Sequence, residues 1–150
     1  MTEIPEKTEA QHQLFIQQVV ESSMVWGLYC PDGWANADSC EFEDVVVYPF
    51  WSSADLAKIC SVEEWKIYQP KSLELAEFLE NWCVGMHKEY ILPGVNWDEQ
   101  MDGKELESLD LALQIVQELK RQGKELKFKL YKSQAEFEKM ILDVVSSERH

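Results

Sequence analysis

Six tryptophans punctuate this chain, and the short signatures around them constrain its folding more than any other feature. They fall in Val25-Trp26-Gly27-Leu28-Tyr29, Gly33-Trp34-Ala35, Pro49-Phe50-Trp51-Ser52, Glu64-Trp65, Asn81-Trp82 and Asn96-Trp97. Bulky rings beside glycine, proline and serine mark strand edges and strand-to-helix junctions, where an aromatic side chain seals a core. Elements can therefore be laid out between these marks.

Thr8 to Ser22 reads as a helix, with Leu14, Phe15, Val19 and Val20 recurring near the helical period. Met24 to Cys30 is an apolar, β-branched and aromatic run of strand length, and Pro31-Asp32-Gly33 is a turn that returns the chain as Trp34 to Asp38, a hairpin. Asp44 to Phe50 holds Val45-Val46-Val47-Tyr48, whose continuous apolar character predicts a central strand buried on both faces. Ser52-Ser53-Ala54-Asp55, with a serine cap and an acid in the first turn, opens a short helix over Ala54 to Cys60. Ser72 to His87 reads as one long helix capped by Ser72, with Leu75, Phe78, Leu79 and Trp82 inward and Glu74, Glu77 and Glu80 as a solvated acidic flank. Tyr90 to Trp97 is a strand interrupted by Pro93-Gly94, and Asp98 to Gly103 a loop. Ser108 to Gln122 is a second strong helix stopped by Gly123, with Leu109, Leu113, Val116 and Leu119 inward. Lys124 to Tyr131 alternates charged and apolar residues and predicts a strand buried on one face. Ser133 with Glu136 forms a capping box before a last helix, to Val145. The order predicts an α+β fold: an antiparallel β-meander, helices packed mainly on one face, and a C-terminal helix-strand-helix extension.

At 150 residues the chain is expected to be one domain, a core of about residues 11–107 with 108–150 packed on it. The net charge of −14 is unevenly spread: residues 1–110 carry 22 acids against six lysines, whereas 111–150 carry eight basic residues against six acids. Such a field repels nucleic acid and anionic membranes and favours a basic protein partner. No apolar run is long enough to span a bilayer, and the polar, acidic stretch from Met1 to Gln13 does not resemble a signal peptide, so a cytoplasmic location is expected. The four cysteines, at 30, 40, 60 and 83, show no Cys-x-x-Cys pairing and read as reduced, with Cys60 and Cys83 buried.

Val25-Trp26-Gly27-Leu28, Gly33-Trp34-Ala35, Pro49-Phe50-Trp51-Ser52, Glu64-Trp65 and the Leu-x-x-Phe-Leu-x-x-Trp helix at 75–82 occur in that order. As an ordered set they resemble the bacterial DUF2750 family over roughly residues 11–100. The resemblance implies a small bacterial cytosolic α+β domain, and it brings no activity and no catalytic residue with it.

Cys83 and His87 share a helix face, as a nucleophile and base or half a zinc site would. No further ligand among Cys30, Cys40, Cys60, His12, His150 or the acids stands at a telling spacing, so a core cysteine and an exposed histidine is the preferred reading. Asp98-x-Gln100-x-Asp102-Gly103 echoes a calcium loop, but Leu109 stands where the bidentate Glu belongs, and a polar turn is preferred. A phosphate-binding loop and the hydrolase and metalloprotease motifs are absent, so no catalytic residue, metal or cofactor is expected.

Two function classes follow. The leading one is a non-enzymatic acidic protein-interaction module, immunity to a basic nuclease-type toxin being one version, with Glu74, Glu77 and Glu80 as a docking face and Glu41, Glu43 and Asp44 as a second acidic cluster. The alternative is a small-molecule-binding protein or enzyme whose pocket is walled by Trp34 and Trp51. A homodimer, through a strand edge or the 108–150 segment, is compatible with either.

Overall fold

A computed structural model describes residues 5–148. The ends of the expected domain, and with them His150, lie outside the described residues. The fold is α+β, built on two small sheets joined edge to edge.

Helix α1 (Pro5–Ser22) starts on proline, whose missing N–H costs nothing in a first turn. It buries Phe15, Ile16, Val19 and Val20, while Leu14 is half-exposed. Strand β1 (Met24–Cys30) follows and turns at Gly33, whose φ of +130° suits glycine, into β2 (Gly33–Trp34). The other edge of β1 is taken by β5 (Gln69–Glu74), antiparallel, with Trp26 opposite Ser72. The expected helix start at Ser72 is therefore corrected: residues 69–74 supply the backbone partner that β1 requires, and Pro70 is tolerated because β5 is an edge strand.

The second sheet has the order β3 (Ala37–Asp38), β4 (Val46–Phe50), β6 (Leu92–Val95) and β7 (Lys104–Glu105). Its central pair, β4 and β6, is parallel, and the outer pairs are antiparallel. The antiparallel meander is thus divided between two sheets, with one parallel pair at the centre. The valine-rich segment does occupy the interior position its composition predicts. Trp26 and Trp51 join the sheets by reciprocal backbone bonds, Trp26 N to Trp51 O at 2.8 Å and Trp51 N to Trp26 O at 2.7 Å.

Successive residues of β4 face opposite sides, so the joined sheets carry two apolar clusters. Tyr48 and Phe50 face the larger cluster, with α1, the helices at 75–89, α5 (Ser108–Arg121) and α6 (Gln134–Glu148). Val47 and Trp51 face the smaller one, with α2 (Ala54–Ile59) and the 3-10 turn Glu63–Trp65. The larger cluster runs from Phe15 to Ile141, so α5 and α6 share it with α1 and the strands. Gly94 and Gly103 are required by Trp97: a Cβ there would lie 2.5 Å and 2.2 Å from its indole ring.

α3 (Leu75–Glu77), a π-helical stretch (Phe78–Cys83) and α4 (Val84–Glu89) form one continuous helix. Glu80 does not belong to a solvated flank. It is 4% exposed, and its carboxylate accepts the backbone N–H groups of Lys129, at 3.0 Å, and Leu130, at 2.8 Å. This also corrects the strand expected over Lys124 to Tyr131. The Gln134 side chain takes the N–H of Leu126 and donates to the carbonyl of Lys124, so these backbone groups are satisfied by side chains instead of a neighbouring strand. The segment is an irregular loop in which Leu126 and Phe128 still pack inward between exposed charges. Ser133 caps α6 as predicted, accepting from Glu136 N at 3.1 Å.

Replacing Glu80 by Ala removes the acceptor of the Lys129 and Leu130 N–H groups. It is expected to lower unfolding stability by about 2–3 kcal/mol and to speed amide exchange at Lys129 and Leu130, with Glu80→Gln milder on both. Chemical denaturation and site-resolved exchange measure this; unchanged exchange at those two amides would refute the anchoring role.

Candidate functional site

The structure does not bring the sequence-predicted site residues together. Trp51 is sealed in the smaller cluster, edge-on to Trp65, with its indole N–H given to Trp97 O at 2.9 Å. Trp34 lies half-buried against the larger cluster, in edge contact with Tyr29 and Trp82. The two rings belong to different faces of the sheet and share no pocket. Glu74 and Glu77 are exposed as expected, but without Glu80 they do not make a three-acid row. Cys83 is fully buried, and burial pushes its thiol pKa up, while His87 pairs with Glu148 at 2.9 Å; they do not form a nucleophile and base. Asp98 folds back on the N–H groups of Gln100 and Asp102 and pairs with Lys7 at 2.7 Å, which makes the Asp98 loop a self-satisfied polar turn. Among the described residues, no group of three or more His, Cys, Asp or Glu side chains is placed to hold a metal.

A concave surface does form elsewhere, around the end of α4. A groove of about 880 Å³ is walled by Phe42, Val45, Met86, Ile91 and Leu92 and rimmed by Glu43, His87, Lys88, Tyr90, Glu107 and Glu148. A smaller hollow beside Tyr48, Trp82 and Gly85 continues it across Met86 and Ile91, and another continues it across His87 and Glu107 to Asp110. Trp82, which lines the first of these, is in edge contact with the half-buried Trp34, their ring centroids 5.0 Å apart.

One wall is the loop after β3, held from below. Glu105, buried on β7, accepts from the Ser39 hydroxyl and from Cys40 N at 3.0 Å. Ser39 Oγ in turn accepts the N–H groups of Glu41 and Phe42, both at 3.0 Å. This fixes the loop backbone so that Phe42 stands 56% exposed beside Glu43. The facing wall is the helix end. Tyr90 closes α4 in the left-handed conformation, φ 59° and ψ 39°, and Ile91 N returns to Met86 O at 2.9 Å. Glycine is the usual residue at such a position, and a bulky side chain there costs energy. The tyrosine ring, 85% exposed, gains little burial in return. Sequence reading located Glu43 in an acidic cluster but passed over Phe42 and Tyr90; the signal was a Tyr where a helix ending before a strand usually has Gly.

A second polar cluster lies inside the protein. Asn96 Oδ1 accepts Ser52 N at 2.8 Å, its amide donates to Ser52 Oγ at 3.0 Å, and Ser52 Oγ donates to Gln18 at 2.5 Å. His12, buried between α1 and α5, meets Gln114 Oε1 at 2.7 Å through Nε2, while Nδ1 has no hydrogen-bond partner among the described residues. These groups mostly satisfy one another and tie α1 to the sheet and to α5, a structural role. Burial, and then the Lys104 ammonium, push the His12 pKa below its ordinary 6.5, against the opposing pull of Gln114 and Glu9.

An α+β protein with a groove edged by two exposed aromatic rings and rimmed by three glutamates, His87 and Lys88 is the class that fold and site define. The chain belongs to the DUF2750 family, described as proteins of unknown function, whose model matches residues 12–115. No curated protein and no solved structure matches it. No helix among the described residues is long and apolar enough to cross a membrane.

Tyr90→Gly is expected to raise unfolding stability by about 1 kcal/mol, because it relieves the left-handed strain and removes an exposed ring; a denaturation midpoint that falls would contradict this. The His12 effect has a defined sign. The folded imidazole resists protonation while the unfolded one accepts a proton below about 6.5, so stability falls as pH drops through that value. His12→Gln should flatten the slope of melting temperature against pH there, and an unchanged slope would count against it.

Proposed function

We propose that this protein is a non-enzymatic protein-interaction module whose groove takes a cationic segment of a partner protein carrying an apolar anchor. One observation carries the reading: two exposed aromatic rings, Phe42 and Tyr90, flank a hollow with apolar walls whose rim holds the carboxylates of Glu43, Glu107 and Glu148, the last paired with His87, against the single lysine Lys88. The rings offer large contact area and a cation-attracting face. The carboxylates, set in a chain of net charge −14, steer basic partners and repel acidic ones. The sealing of Cys83, which leaves its thiol out of contact with any partner, supports the same reading. A basic toxin neutralised in the bacterial cytosol is one partner of this chemistry. We read residues 1–150 as one domain, with the larger apolar cluster shared between its two parts.

The test is titration with fluorescent peptides that combine lysine or arginine with leucine. Affinity should fall steadily as salt rises, chiefly through slower association. Phe42→Ala or Tyr90→Ala should each weaken binding about tenfold, and Glu43→Gln with Glu107→Gln should reduce the salt dependence. Binding that ignores both the aromatic and the acidic substitutions would place the site elsewhere.

A further inference from the structure

The groove lies at one end of α6, with Glu148 of that helix on its rim. At the other end, just before Gln134, stands the irregular loop at 124–132. At 1.5 Å per residue the two ends of α6 are about 21 Å apart. The loop has the opposite character to the groove. Lys127, Lys129 and Lys132 are exposed, and none of the three ammonium groups is held by a carboxylate among the described residues. Leu130, between Lys129 and Lys132, is 65% exposed. Lys124 is the exception: it is pinned to the carbonyls of Val20 and Glu21.

The loop is also held in shape. Glu80 binds the backbone of Lys129 and Leu130 from inside, Gln134 binds that of Lys124 and Leu126, and Phe128 stacks on Phe137 with centroids 5.0 Å apart. Lysines around a projecting leucine on a fixed backbone are a cationic segment with an apolar anchor, presented with its backbone already ordered for binding. That is the occupant the groove calls for.

We propose that the 124–132 loop of one copy docks in the groove of a second copy, so that the protein associates head to tail. This rests on the reading of the groove given above and names its partner. Loop and groove are different surfaces, so the contact is heterologous: each pair leaves one loop and one groove free, and growth continues unless a ring closes. The net charge of −14 opposes the meeting of like copies. Low salt leaves that long-range repulsion unscreened, and high salt weakens the local lysine–carboxylate contacts, so association is strongest at intermediate ionic strength. Binding of a free cationic peptide instead falls steadily with salt, which separates the two processes.

The experiment is sedimentation velocity of the full chain over a range of concentrations, at about 0.15 M salt, where screening acts over about 8 Å. Two variants change exposed side chains only. Phe42→Ser with Glu107→Gln disables the groove, and Lys129→Gln with Leu130→Ser and Lys132→Gln disables the loop. The wild type is expected to form concentration-dependent species larger than a dimer or a closed ring, and each variant alone to remain monomeric. The groove variant loses association although it carries less net charge than the wild type, which general repulsion would not produce. Mixed in equal amounts, the two variants retain one intact loop and one intact groove between them and should form a dimer that does not grow. A wild type monomeric at every concentration, or a loop variant that still assembles, overturns the proposal. The groove reading is judged separately with an unrelated lysine- and leucine-containing peptide. If that peptide binds while the wild type stays monomeric, self-association fails and the groove reading stands; if it does not bind and the wild type stays monomeric, both fail.

Discussion

The two backbone hydrogen bonds between Trp26 and Trp51 are the constraint on which the rest of the structure depends. Each small sheet on its own offers few strands and little area on which to pack helices, and short isolated sheets are marginal in water. Joined at that bridge, they present two continuous faces. One is broad enough for α1, the 75–89 helix, α5 and α6, and the other is narrow and closed by α2 and Trp65. The bridge also explains the burial of Trp51. A side chain that follows Phe50 at the join must face the smaller cluster, and its indole N–H then requires an acceptor there, supplied by Trp97. Trp97 in turn permits only glycine at 94 and 103, so the loop and strands that carry Glu105 are positioned by the same chain of contacts.

Two buried glutamates then convert this rigid frame into two fixed loops. Glu105 holds the turn that presents Phe42, and Glu80 holds the turn that presents Leu130. The chemistry is the same in both: a carboxylate removed from water accepts two or more donors, chiefly backbone N–H groups that would otherwise need a strand partner. A carboxylate serves well here because it accepts from several directions at once and so fixes a backbone without regular structure. Burying a carboxylate is costly unless it is well hydrogen-bonded, which makes such anchors sensitive to loss of either side of the contact.

The α+β class, most elements and the central place of Val45 to Phe50 were legible in the sequence, because period and turn residues are local signals. What was not legible had non-local causes. Glu80 stands three residues beyond Glu77 and reads as one more solvated acid; only the return of the chain at 129–130 gives it donors. The alternation from Lys124 to Tyr131 foretold that Leu126 and Phe128 turn inward but not that Leu130 projects into solvent, and alternation does not reveal whether a neighbouring strand exists to complete a ladder. Ser72 has the composition of a helix cap, but the unpaired edge of β1 recruits it as strand. Trp34 and Trp51 look alike as aromatic residues near strand ends, and only the sheet join sends them to opposite faces.

Nine large apolar side chains are exposed among the described residues, and they fall at several places on the surface. Phe42 and Tyr90 stand at the groove and Leu130 projects from the lysine loop, while Phe50 and Phe78 pack edge to face in the interior. A chain that can bury Trp51 completely is not short of core volume for one more phenylalanine. Leaving Phe42 and Tyr90 in water, one on a loop held by a buried acid and the other in a conformation that suits glycine, lowers stability in two independent ways. Exposed apolar surface rimmed by charge marks places where proteins meet other molecules. Stability is thereby given up at Phe42 and Tyr90, beside the carboxylates of the groove, and at Leu130, among the lysines of the 124–132 loop.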